Sequence, residues 1–286
     1  MNAAVSGGSS ERPTPISVTV WGSRGSTPMA GPAFNVYGGN TICIEVRCGS
    51  DVLLFDAGTG IIPAGVDLLS RAVKTVSLFL THSHYDHIQG LPFFAPLHKP
   101  DTTVAIASAH LEGVMTTYDV IKGVMRPPYF PVGPEIFKAA VDYRDFLPGD
   151  VLEPGAGITV RTGRLQHPGG STGYRIEYAG RVVAIVTDTE HTPGELDEKV
   201  LKLIEGADLF LYDSAFCDEE MAKYQGFGHS SWQHAIRLAE AAKVKAIGLM
   251  HHSPFHTDQD LERIARLAAE RFSEAQVVKD GQVFGV

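Results

Sequence analysis

The sequence predicts one α/β domain with helices outside a β-rich core. Three observations carry this. Short apolar strand patterns recur in both halves of the chain, helical spacing appears between and after them, and no linker or short repeat divides the 286 residues. A chain of this length can bury a sizeable core. Its 44% apolar and 20% charged residues are ordinary for a globular protein.

The elements follow in order. Met1–Pro15, rich in Ala, Gly and Ser, lacks the basic start and apolar centre of a signal peptide. It is expected to be a mobile tail, which leaves residues 16–286 as the domain. Ile16–Trp21 alternates like a strand, and a Gly/Ser/Pro loop runs from Gly22 to Asn40. Thr41–Arg47 and Val52–Phe55 read as strands joined at Gly49-Ser50-Asp51. Ile62–Ala72 has helical character, Val76–Leu80 is a short buried strand, Ile88–Leu97 is expected to begin a helix, and Val104–Ala107 is another strand. Between Leu111 and Phe146, the prolines Pro127, Pro128 and Pro131 preclude a regular helix. An ordered aromatic insertion is expected there, with Pro127–Pro134 either capping a pocket or forming a dimer surface. Strand patterns return at Ile158–Arg164, Gly173–Tyr178, Val182–Val186 and Leu209–Tyr212. Trp232–Ala242 places Trp232, Ala235, Ile236 and Ala239 on one helical face. Ala246–Met250 is a last buried strand and Gln259–Arg271 a last amphipathic helix.

The informative feature is the cluster that ends the strand Val76–Leu80, His82-x-His84-x-Asp86-His87. Imidazoles and carboxylates are good ligands for zinc and similar ions. Residues two apart at a strand end project to one side, and the following turn brings Asp86 and His87 to a second position. So many ionisable groups beside a buried strand would be expensive to desolvate without a partner. Further ligand-type residues stand at the downstream ends of other strands, where open sheets place their sites: His167, Asp188 and His251-His252.

Thr81-His82-Ser83-His84-Tyr85-Asp86-His87 resembles the T-H-x-H-x-D-H signature of the metallo-β-lactamase superfamily. His167, Asp188 and the His251-His252 pair follow in that superfamily's order, so the resemblance runs from about Ser17 to Leu267. It implies a four-layer αββα sandwich with two divalent metal ions at one edge. His82, His84 and His167 would hold one ion, Asp86, His87 and a C-terminal histidine the other, and Asp188 would bridge them. His251 is the favoured C-terminal ligand, because His251-His252-Ser253-Pro254 resembles the family's H-x-S-P segment, with His252 the alternate. Zinc is the first choice for so many imidazoles, with manganese or iron as alternatives.

Gly228-His229-Ser230-Ser231 resembles the G-H-S-[ST] segment of the branch that holds ribonuclease Z and small cyclic phosphodiesterases. In that branch the histidine protonates the leaving oxygen. His229 and Asp86 are therefore the catalytic candidates, with Ser230 a candidate cap for the helix that follows. The loop Gly22–Pro28 with Tyr37–Thr41 is also similar to that branch, and Arg24 is expected to approach a phosphate. Asp56, in an Asp-x-Gly segment, is expected to support a ligand histidine. Glu190 and His191 are open between pocket lining and surface loop.

The expected activity is hydrolysis of a small or cyclic phosphodiester by a two-metal-bound hydroxide. Ester, thioester or lactam hydrolysis, RNA processing and a non-catalytic binding module are the alternatives. The net charge of −9, the absence of a long basic arm, and Phe255-His256 where ribonuclease Z has Arg-Tyr weigh against long nucleic acid. Cys43, Cys48 and Cys217 are read as reduced thiols. No apolar run reaches the ~20 residues of a membrane span. A cytoplasmic protein is expected, with monomer and homodimer both open.

Overall fold

The computed structural model describes residues 15–286, so the expected tail falls almost wholly outside the described residues. The first half supplies β1 (Ile16–Gly22), β2 (Cys43–Cys48), β3 (Asp51–Phe55), α1 (Ile61–Ser70), β4 (Thr75–Phe79), the single turn α2 (Tyr85–Ile88), β5 (Thr103–Ser108), α3 (Thr117–Val124) and β6 (Ala140–Asp145). The second half supplies β7 (Val151–Gly155), β8 (Ile158–Leu165), β9 (Ser171–Tyr178), β10 (Arg181–Val186), α4 (Glu198–Ile204), β11 (Leu209–Asp213), α5 (Asp218–Tyr224), α6 (Trp232–Ala242), β12 (Ile247–Met250), α7 (Asp258–Arg271), β13 (Ala275–Val277) and β14 (Gln282–Gly285).

Two seven-stranded sheets face each other, in the orders β14-β1-β2-β3-β4-β5-β6 and β13-β12-β11-β10-β9-β8-β7. Ile16, Val18, Val20, Ile44, Phe55 and Phe79 of the first sheet meet Val160, Tyr174, Ile176, Val183, Ile185 and Leu211 of the second in a shared core. The opposite face of the first sheet is covered by α1 and the segment up to Phe137, that of the second by α4, α6 and α7. These are the four layers αββα. Buried strands need apolar side chains on both faces, which is why β4, β10, β11 and β12 read as continuous apolar runs rather than alternating ones.

Several elements depart from the sequence reading. Ile88–Leu97 does not form one helix: α2 stops at Ile88, and two short 3₁₀ turns, Leu91–Phe93 and Ala95–His98, follow. Pro92 and Pro96 each begin a turn and cannot donate to a preceding one. The segment 111–146 holds α3, closed at its start by a capping box between Thr116 and Asp119, and the strand β6. Phe130 and Phe137 of the Pro-rich stretch pack under the first sheet, while Tyr129 stays exposed. The strands β7, β13 and β14 and the helices α4 and α5 carry patterns too short to read. Among the described residues no helix is long and apolar enough to cross a membrane.

Candidate metal centre and active site

The site lies at the carboxyl ends of parallel strands. β3 and β4 run parallel, as do β10, β11 and β12, with Val186 beside Tyr212 and Asp213 beside Met250. The residues that follow each strand therefore emerge on one edge of the sandwich. Asp56, Asp188 and His251 each turn through left-handed backbone, at φ of 63°, 57° and 60°. That conformation is disfavoured for residues with a Cβ, and here it swings the side chains inward from the strand ends.

Buried Asp56 anchors the first motif. Its carboxylate accepts from the Thr81 amide at 2.7 Å, the Thr81 hydroxyl at 2.8 Å and His87 Nδ1 at 2.8 Å. The Tyr174 hydroxyl donates to the Leu80 carbonyl at 2.6 Å, which ties the second sheet to the same strand end. With its Nδ1 proton given to Asp56, His87 turns Nε2 inward, 3.4 Å from His251 Nε2, 3.3 Å from Asp86 Oδ2 and 3.2 Å from Asp188 Oδ2. His251 Nε2 is itself 3.3 Å from Asp86 Oδ2 and 3.2 Å from Asp188 Oδ1. The Ser26 amide donates to Asp86 Oδ2 at 2.7 Å and sets the carboxylate's direction.

A second group adjoins it. His167 Nδ1 donates to the Gly228 carbonyl at 2.8 Å, so Nε2 faces inward, 3.0 Å from His84 Nδ1 and 3.9 Å from Asp188 Oδ1. His82 Nε2 lies 3.7 Å from the same Asp188 oxygen. It is buried with no hydrogen-bond partner among the described residues. The ligand atoms of His82, His84 and His167 lie within 4.8 Å of one another, and so do those of Asp86, His87 and His251. Asp188 stands between the groups.

This donor set fits divalent cations. Backbone and carboxylate acceptors fix the outer nitrogens of His87 and His167, and so leave their inner lone pairs free for a metal. The electrostatics agree. Burial alone would raise the Asp188 carboxyl, but the imidazoles of His251, His87 and His82 hold it well below its usual range. Burial, followed by the charge of His87, holds His82 well below the usual imidazole range.

The candidates divide clearly. His82, His84, Asp86, His87, His167, Asp188 and His251 converge. His252 does not: its Nε2 donates to the Val278 carbonyl at 2.7 Å, away from the site, because the left-handed turn at His251 sends the two rings in different directions. Arg24 is a correction too. Its side chain is fully buried, with Nε donating to the Gly38 carbonyl at 3.0 Å and Nη1 to the His256 carbonyl at 2.6 Å. It clamps the N-terminal loop to the C-terminal segment and cannot reach a substrate. Ser231, not Ser230, caps α6, while Ser230 Oγ donates to the Thr189 carbonyl at 2.6 Å and accepts from the Tyr212 hydroxyl at 2.9 Å. Glu190 accepts the amides of Gly226 and Gly228 at 2.9 and 2.8 Å, holding the loop that carries His229.

His229 is 13% exposed and borders a cleft of about 310 Å³ with Ser26, Ser83, His84, Tyr85, Asp86 and Asp188. Its Nδ1 is 2.9 Å from Asp213 Oδ2. The sequence reading missed Asp213. The available signal was its position after the apolar run Leu209–Tyr212, the same context that marked Asp188.

The Beta-lactamase superfamily domain matches residues 52–252. The chain belongs to that superfamily and is a metal-dependent hydrolase of the metallo-β-lactamase fold. Ribonuclease Z of Lactiplantibacillus plantarum is 25% identical over 283 residues, covering 83% of this chain and 88% of that protein. The metallo-β-lactamase fold protein YhfI of Bacillus subtilis superposes with a TM-score of 0.70 at 21% identity, over 95% of this chain and 99% of that one. A new diphosphatase from the PhnP family gives a TM-score of 0.69 at 19% identity, over 95% and 98% of the two chains. These two structures share the fold.

Proposed function

We propose that the chain is a phosphoric diester hydrolase. The observation that carries this reading is His229, oriented by Asp213 and placed 3.8 Å from Asp188 at the mouth of the cleft. Hydrolysis of an alkyl phosphodiester expels an alkoxide, a poor leaving group that needs a proton. A partly exposed histidine with one nitrogen fixed by a carboxylate is suited to deliver it.

His82, His84 and His167 would hold one divalent cation, and Asp86, His87 and His251 another, with Asp188 shared. Zinc is the first expectation for so imidazole-rich a set. Such cations supply Lewis acidity toward phosphoryl oxygens and lower the pKa of water. The chain's own groups do the rest. Asp213 fixes the Nδ1 proton of His229 and the direction of its ring. Nε2 of His229 is then the atom that gives its proton to the departing oxygen. Asp86, aimed by the Ser26 amide, also lines the cleft.

The cleft accommodates a small or cyclic phosphodiester, or the scissile segment of a longer chain. The relatives named ribonuclease Z support RNA cleavage as the second reading. The test is hydrolysis of bis(p-nitrophenyl) phosphate and of 2′,3′- and 3′,5′-cyclic nucleotides by metal-loaded and metal-stripped protein. Metal-dependent turnover of any diester supports the proposal. No turnover by protein carrying two cations, with activity on a carbon ester, thioester or lactam instead, would overturn it.

A further inference from the structure

Ser83 stands between the ligands His82 and His84 and lines the cleft. Its hydroxyl oxygen lies 2.9 Å from Nε2 of His110. His110 comes two residues after the end of β5, which runs parallel to β4, so it emerges at the same edge of the sandwich as the His82–His87 motif. Neither side chain belongs to the converging ligand groups.

The surroundings hold His110 in place. The residue is 5% exposed, and its ring stands edge-on to that of His82, with centroids 6.5 Å apart. The Ser108 hydroxyl lies 2.7 Å from that of Thr117, which is itself 2.8 Å from the Arg144 carbonyl. These contacts tie the end of β5 to α3 and β6. On the other side the His110 carbonyl faces the turn after His167, where a Cβ added to Gly170 would stand 3.1 Å from its oxygen.

The proton position follows from the partners. Nδ1 of His110 is buried with no hydrogen-bond partner among the described residues. A proton there would be an orphaned buried donor, which folded proteins rarely keep, and a bare lone pair is the lesser cost. The proton therefore sits on Nε2 and donates to Ser83 Oγ. The Ser83 oxygen spends a lone pair on His110, and its own proton has no acceptor among the described residues. A hydroxyl proton rotates to suit its acceptor, and the side left open is the cleft.

No lysine or arginine lines the cleft, so the chain's own contacts to a phosphate come chiefly from neutral donors. Of the three hydroxyls there, those of Ser26 and Tyr85 belong to exposed residues and have no anchoring bond among the described residues. That of Ser83 alone is aimed by a buried ring. A donor fixed in advance engages at less cost than one that must be ordered on binding.

We propose that Ser83 binds the substrate, its hydroxyl donating to a non-bridging oxygen of the scissile phosphodiester, and that His110 is the positioning residue that aims it. The proposal rests on the phosphodiesterase reading and deepens it.

The test is a ³¹P NMR titration of the full zinc-loaded chain with diethyl phosphate, which reports bound and hydrolysed probe separately, beside turnover of bis(p-nitrophenyl) phosphate. Ser83→Ala is expected to raise the probe's Kd and the KM roughly ten- to a hundredfold, as for a lost hydrogen bond to a charged group. Its zinc content, read by elemental mass spectrometry, should not change. His110→Phe should raise both constants about three- to tenfold. His110→Gln, whose amide can donate in place of Nε2, should restore most of the affinity. In the Ser83→Ala background His110→Phe should add nothing, an outcome that a merely structural role of the ring does not give. A long-range ¹H–¹⁵N spectrum should show His110 protonated at Nε2. Unchanged Kd and KM in Ser83→Ala, loss of zinc from that variant, or a proton on Nδ1 alone would overturn the proposal. Probe binding that weakens in Ser83→Ala, with no diester turnover by the unaltered protein, would instead overturn the hydrolase reading and leave the phosphate contact standing.

Discussion

His229 Nδ1 lies 2.9 Å from Asp213 Oδ2, and this hydrogen bond fixes both the tautomer and the direction of the ring that borders the cleft. His229→Ala is therefore expected to lower kcat by about 10²–10⁴ on a diester with an alkoxide leaving group. The loss on bis(p-nitrophenyl) phosphate should be much smaller, because nitrophenolate departs without protonation. Asp213→Asn should follow the same leaving-group pattern, with a loss on the order of 10–10² typical of carboxylates that orient a site imidazole. Equal losses on both substrates would rule out proton delivery by His229.

The ligand geometry makes a prediction about metal content. Asp188→Ala should deplete both cations, and Asp86→Ala or His87→Ala chiefly one, as read by elemental mass spectrometry of purified protein. His252→Ala should keep both, since its side chain faces Val278. It should instead lower stability by roughly 1–3 kcal/mol, the cost of leaving a buried carbonyl without its donor. Metal loss in His252→Ala, with full content in His251→Ala, would reverse the assignment.

Gly228 stands at φ 85°, and a Cβ there would come within 2.2 Å of His167 Nδ1. Both the backbone angle and the close approach require glycine. Gly228→Ala is expected to displace His167 and lower activity at least tenfold, with far-ultraviolet circular dichroism unchanged. Retained activity in the variant would mean that the His167–Gly228 contact does not set the ligand's position.

Arg24 should behave as a structural residue. Its guanidinium ties Gly38 to His256 and lies 3.7 Å from Asp258. Arg24→Ala removes one partner of a buried charged network and should cost about 3 kcal/mol or more in urea unfolding. Arg24→Lys should not rescue it, because an ammonium cannot reproduce the planar fork. A variant of normal stability whose KM alone rises would restore Arg24 as a phosphate contact.

The His191 and His234 rings stack 3.7 Å apart with planes 5° from parallel. Burial, then the neighbouring His191 and Arg237, push His234 down to about 3, against the pull of Asp218. An unfolded histidine titrates near 6.5, so below about that pH the unfolded chain takes up a proton the folded chain refuses. This group's contribution is constant above pH 6.5 and is lost as pH falls from there towards 3. The loss is at most about 1.4 kcal/mol per pH unit. Urea midpoints between pH 7 and 5 should fall less steeply in His234→Phe than in the unaltered chain. Parallel slopes would exclude His234 as a source of acid sensitivity.

Much of the fold was legible because buried strands leave a simple trace. β4, β10, β11 and β12 are apolar on both faces, and α6 matched its expected bounds, Trp232–Ala242. Elements that touch the core through only a few side chains left none. β13 has three residues and β14 four, and α4 seven. The run Ile88–Leu97 misled because apolar content says nothing of the turns that Pro92 and Pro96 impose.

By itself the sequence determined the ligand-type residues, because six positions from His82 to His87 carry the chemistry at fixed spacing, and His167, Asp188 and His251 each follow a readable strand. Only the tertiary structure decided direction and assembly. His251 and His252 are chemically identical, and the backbone turn at His251 sends one ring inward and the other to Val278. Arg24 has the composition of a phosphate contact, yet its packing places it among carbonyls. Asp213 acquires a role only because β11 lies beside β10 and β12. Arg161, Arg175, Lys199 and Lys202 come together on one face only because α4 settles on Gly163 and Gly173. A net charge sums over the chain, whereas a ligand meets the field of one surface. That field depends on which distant residues the fold makes neighbours.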